Sequence, residues 1–95
     1  MKKRIDILGV VWKVSLLTGR QDHRLEENDG FVDFPTSSIV VNSKLPKDQQ
    51  YSVLLHEIFH ILSRQLDVNL SESKIMRLEG GFFQVVNSNK LKFFD

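Results

Sequence analysis

Polar and apolar residues near the start of the chain follow a period of two. Leu8, Val10, Trp12, Val14 and Leu16 share one parity, and Gly9, Val11, Lys13 and Ser15 take the other. That alternation predicts a half-buried strand. Ile5 and Ile7 belong to the opposite parity, so the register switches near Gly9. One bent strand or a short hairpin satisfies the switch, and the hairpin is preferred. Two further short strands are predicted at Phe31 to Phe34 and Ile39 to Asn42, pairing as a hairpin around Pro35 to Ser38. Together they make a small antiparallel sheet of three to four strands.

The period then lengthens. A helix is expected from about Pro46, which suits a first turn because its missing N–H needs no partner, to Gln65. Apolar residues wrap nearly the whole circumference of its second half, which predicts a central, buried helix. Leu66 to Leu70 reads as a linker, and Ser71 as the N-cap of a second helix. Ile75, Leu78, Phe82 and Val86, with Val85, form the stripe expected to pack on a neighbour. Gly80 and Gly81 each cost about 1 kcal/mol inside a helix, so they either admit close approach to the first helix or end the second early. Leu91 to Phe94 is apolar enough to dock back on the domain, as a strand. The fold class is α+β, in one domain spanning residues 1–95.

Composition narrows the functional classes. Hydrophobic residues make up 41% and charged residues 26% of the chain, ordinary values for a globular domain. The net charge of +1, with basic residues dispersed among acids, gives no support to a nucleic-acid partner or an anionic membrane surface. No stretch approaches a membrane span, and the basic start is followed by no apolar run of signal-peptide length. With no cysteine, neither a disulfide framework nor a thiolate metal site is available. A cytoplasmic location is expected.

The polar residues that break the apolar helix carry the chemistry. In V-L-L-H-E-I-F-H-I-L, Val53 to Leu62, only His56, Glu57 and His60 are not apolar. Residues i and i+4 share a helix face, so the two imidazoles reach one cation from a single element. A lone histidine on an apolar helix is usually a satisfied core residue, but H-E-x-x-H is a far narrower pattern and a zinc signature. Zinc with three protein ligands keeps a fourth position for water, and Glu57 stands beside the site to take its proton. A third ligand is required. No histidine follows at the spacing of the longer H-E-x-x-H-x-x-G-x-x-H pattern, which leaves a carboxylate of the second helix: Glu72 or Glu79, with Asp67 less favoured. Glu72 and Glu79, seven apart, lie on nearly the same face, and spacing does not separate them. In the polar stretch Thr18 to Gly30, ending in the turn signal Asp29-Gly30, His23 reads as a solvated loop residue rather than an extra ligand.

Strands, a helix bearing L-L-H-E-I-F-H-I-L and a second helix opening L-S-E-S-K-I-M-R-L resemble the small phage and bacterial metallopeptidases of the ImmA/IrrE-like gluzincin group. The similarity covers most of the chain, including G-x-x-W-x-V at Gly9 to Val14 and I-V-V-N at Ile39 to Asn42, and the size matches the minigluzincins. The resemblance implies that Glu72, followed by Ile75 at an apolar position, completes a His2Glu zinc site with His56 and His60. It implies a zinc peptidase with Glu57 as catalytic base, acting on a peptide or protein substrate laid along a sheet edge, for which Ile39 to Asn42 is the expected strand. A phage regulator that cleaves a repressor is the role it suggests, with no counterpart expected in residues 1–95 to the second domain of larger relatives. Tyr51, His23 and Arg64 are candidate oxyanion donors, each more ordinarily structural or solvated. The alternatives are a catalytically silent module stabilised by zinc and an interaction domain with no metal.

Overall fold

The computed structural model describes all residues, 1–95. Strands β1 (Arg4–Ile7), β2 (Val10–Leu17), β3 (Gly30–Asp33) and β4 (Ser38–Asn42) form one sheet, followed by helices α1 (Lys47–Gln65) and α2 (Glu72–Ser88). A 3-10 turn, His23–Glu26, sits between β2 and β3. No helix is long and apolar enough to cross a membrane.

The parity switch near Gly9 is a hairpin. Leu8 and Gly9 both take positive φ, 53° and 85°, as a two-residue hairpin turn demands, and the Gly9 N–H donates to Asp6 Oδ1 at 2.9 Å. β1 and β2 then pair antiparallel from Ile7↔Val10 to Arg4↔Lys13. β3 and β4 make the second antiparallel pair.

The sheet is not antiparallel throughout. Its order is β1-β2-β4-β3, and the central pair, β2 with β4, is parallel. Residues 18–29 and β3 carry the chain back across the domain before β4 begins, so β4 enters in the direction of β2. This buries β4 between two strands, with Ile39 and Val41 fully inaccessible. The expected substrate edge at Ile39 to Asn42 is therefore interior, and the edge strand on that side of the sheet is β3.

Trp12, Val14, Ile39 and Val41 of the sheet and Leu54, Leu55, Ile58 and Ile61 of α1 share the core cluster. α2 packs on α1 rather than on the sheet, leaving α1 as the middle layer. Ser71 caps α2 by accepting from Lys74 N at 3.2 Å. The stripe of α2 differs from the sequence pattern: Ile75 and Val86 are buried, but Leu78 and Val85 lie outside it, 44% and 48% exposed. The inner face runs Ile75, Glu79, Phe83 and Val86, so a carboxylate occupies its second position, while Phe82 is 39% exposed and meets Phe59 of α1 only edge-on. Gly80 and Gly81 neither end the helix nor admit a close approach, since a Cβ at either meets nothing within 4 Å.

The tail docks without forming a strand. Phe94 is buried, stacks on Tyr51 at 4.3 Å between ring centroids, and its carbonyl accepts from Lys2 N at 2.7 Å.

Candidate metal centre

α1 presents its polar residues in order around the helix. The apolar arc of Leu54, Ile58 and Ile61 faces the core, and His56 and His60 project on the opposite flank beside Ser52. Glu57 falls at the border of the two arcs. It is only 7% exposed, yet it lines the cleft and makes no side-chain hydrogen bond. Burial pushes its carboxyl up to about 7 from an ordinary 4.5; the His56 ring opposes the rise, and the Glu72 and Glu79 carboxylates add to it.

The two helices converge on the histidines. Glu72, in the first turn of α2, places Oε1 2.7 Å from His56 Nε2 and Oε2 3.0 Å from His60 Nε2. The two Nε2 atoms are themselves 3.1 Å apart. Two turns further along α2, Glu79 meets the other side of the same ring, with Oε1 2.8 Å from His56 Nδ1. Its second oxygen accepts from Ser52 Oγ at 2.7 Å. The two glutamates that spacing left equivalent thus hold different positions: Glu72 faces the paired Nε2 atoms, and Glu79 sits behind one ring.

The donor set fits a small divalent cation. A tetrahedral zinc with bonds of about 2.0–2.2 Å separates its ligand atoms by roughly 3.3 Å, and the three pairs here stand at 2.7, 3.0 and 3.1 Å. An opening of a few tenths of an ångström admits the ion. Within the motif itself, donor atoms of His56, Glu57 and His60 all lie within 4.8 Å of one another. Glu72 is the better third donor because its carboxylate already touches both rings, whereas Glu57 is held at the core border, bonded to neither.

The cleft over these residues has a volume of about 410 Å³ and is walled on the far side by Asn28, Asp29 and Gly30. Gly30 is not a turn residue. It begins β3, opposite Val41, where a Cβ would stand 2.5 Å from Val53 Cγ1 and 2.8 Å from Val40 O. Only a residue without a side chain lets the edge strand lie this close to α1.

The other candidates lie elsewhere. His23 pairs with Glu26 at 2.9 Å on the surface, its side chain 86% exposed. The Tyr51 hydroxyl donates to Asp95 Oδ2 at 2.8 Å, away from the cleft. Asp67 and Arg64 line an adjoining groove that shares Glu57 and His60 with the cleft. Nothing past Glu79 lines the cleft, so the tail does not cover it. Ser52 and the position of Glu79 behind His56 were missed in the sequence. The i, i+4 spacing of Ser52 and His56 was the available signal for the first. Comparison with protein-family models, with characterised proteins and with solved structures finds no match for this chain.

Proposed function

We propose that this chain is a minimal zinc-dependent peptidase, with His56, His60 and Glu72 as metal ligands and Glu57 as catalytic base. One observation carries the proposal: a single carboxylate spans both Nε2 atoms of an H-E-x-x-H pair across an open cleft. Zinc held by these three residues would polarise a scissile carbonyl as a Lewis acid and would lower the pKa of a water toward about 7.

The chain's own residues do the rest. Glu57 takes the proton of the attacking water and delivers it to the departing amine nitrogen. Its flank position keeps it free of the hydrogen bonds that would tie up its oxygens. His56 Nδ1–H donates a hydrogen bond to Glu79, which fixes the tautomer that leaves Nε2 free as a ligand, and Ser52 holds Glu79 in place. An extended peptide added along the free edge of β3 lies against the cleft wall at Gly30. The proposal places the enzyme in the cytoplasm, acting on a peptide or protein.

A purely structural zinc site is closed by four protein ligands. Three donors, an open cleft and a buried carboxylate beside them favour turnover over a silent, metal-stapled module. The test pairs metal analysis of untagged protein with Glu57→Gln. One zinc per chain in both forms, and cleavage of a denatured protein substrate by the wild type alone, is the expected result. A chain that cannot be loaded with zinc removes the proposal, and a variant that cleaves at the wild-type rate removes Glu57 from it.

A further inference from the structure

Two arginines lie over aromatic rings near the edge strand, and their surroundings differ. The Arg24 guanidinium sits 3.9 Å from the Phe31 centroid, and its in-plane donors are taken by Asp22, at 3.0 Å from Nε and 2.8 Å from Nη2, with Asp33 at 3.6 Å. The Arg64 guanidinium sits 4.0 Å from the Phe34 centroid. It enters no ion pair and no side-chain hydrogen bond. A guanidinium stacked through its face keeps its edge donors directed outward, in the plane that matches a carboxylate.

Arg64 also has a fixed relation to the centre. His56, His60 and Arg64 follow one another at i, i+4 and i+8, so Arg64 stands one turn beyond His60, about 6 Å along the helix axis. It lines a groove of about 680 Å³ that is continuous with the cleft through Glu57 and His60. About 6 Å between the two backbones, with the reach of the Arg64 side chain out to Phe34 added, is on the order of a few residues of extended peptide.

We infer that Arg64, shelved on Phe34, forms a carboxylate-binding subsite next to the metal centre, selecting substrates with an acidic group within a few residues of the scissile bond. The inference rests on the peptidase reading above. The carboxylate belongs to an acidic side chain or to the end of a peptide chain, and the chemistry of recognition is the same. Asp67 lines the same groove. It makes no ion pair with Arg64, and its charge lowers the attraction without filling the donors. Trp12 meets the Phe34 ring edge-on with centroids 5.6 Å apart, so the shelf is anchored to the core.

The experiment uses three short peptide hydroxamates on the zinc-loaded protein. One is neutral and amidated, one carries a free C-terminal carboxylate, and one is amidated with a glutamate side chain. A carboxylate probe is expected to bind about five- to tenfold tighter than the neutral one. That advantage is expected to vanish in Arg64→Gln, and the probe showing it names the source of the carboxylate. Equal binding of all three, or an advantage that survives Arg64→Gln, overturns the subsite while leaving the metal centre standing. Failure of all three hydroxamates to bind the zinc-loaded protein takes away the open position that the peptidase reading needs, and the subsite with it, while the zinc ligands themselves stand or fall on metal loading. In the wild type, the Arg64 Nε–H resonance is expected to move on titration with the favoured probe and not with the neutral one. A static resonance under saturating probe overturns the inference without recourse to a variant.

Discussion

The two sides of α1 are held by different physics. Toward the sheet, Leu54 and Ile61 are fully buried with Trp12, Ile39 and Val41, in contacts that are non-directional and add up by area. Toward α2, Ser52, His56 and His60 meet Glu72 and Glu79 in four polar contacts of 2.7–3.0 Å, each dependent on direction. The first side decides whether the helix is in place, and the second decides what it does. A change on one side should therefore leave the other measurable.

The largest effects belong to the polar side. His60→Ala or Glu72→Ala removes a proposed ligand and is expected to weaken zinc binding by about a thousandfold or more. Glu79→Gln keeps the ligands and loosens the orientation of His56, so about ten- to a hundredfold is expected. Competition with a chromophoric chelator measures both. Equal losses at Glu72 and Glu79 would erase the distinction between ligand and orienting partner. Next comes the apolar side: Ile61→Ala should cost about 2–5 kcal/mol in urea unfolding, with zinc stoichiometry of the folded fraction unchanged.

How far each side was legible follows from the same contrast. Burial of α1 is written as a period, and H-E-x-x-H as a spacing, so the helix, both histidines and Glu57 could be read without a partner in view. The carboxylates of α2 could not be separated that way. Glu72 and Glu79 are seven apart and share a face, and only the crossing of α2 over α1 puts one on the Nε2 side of His56 and the other on the Nδ1 side. Glu79 was further disguised because it interrupts the stripe that Ile75 and Val86 define. The parallel pairing of β2 with β4 was illegible for a related reason. Alternation specifies which face of a strand is buried, not which strand lies beside it.

Glu57 sits on the boundary between the two sides, and its pH response tests that placement. Its carboxyl, ordinarily at 4.5, is raised to about 7 in the folded protein, chiefly by burial. Folding is then least penalised below pH 4.5, where the group is protonated in both states. Stability falls as pH rises through the interval to about 7, and the full penalty applies above it. Metal-free Glu57→Gln escapes the penalty. It should exceed metal-free wild type by on the order of 3 kcal/mol at pH 8 and by little at pH 4. A difference that is flat between those pH values would place Glu57 in water, outside the border assigned to it.

The smallest effect sharpens the comparison by lying outside both sides. Gly80 and Gly81 follow Glu79 on α2, in helical backbone, and a Cβ at either finds open space. Alanine there removes conformational freedom from the unfolded chain and touches nothing in the folded one, so each substitution should stabilise by about 0.5–1 kcal/mol. Gly30→Ala is the opposing case, since its Cβ would press on Val53 and on the backbone carbonyl of Val40. Thermal unfolding should show the midpoint rising for Gly80→Ala and Gly81→Ala and falling for Gly30→Ala, with zinc affinity unchanged in the first two. A helix that lost zinc affinity on stiffening at 80 and 81 would need to flex there to bring Glu72 and Glu79 onto His56 together. The polar side would then be assembled by motion in α2, not by the fixed crossing of two rigid helices.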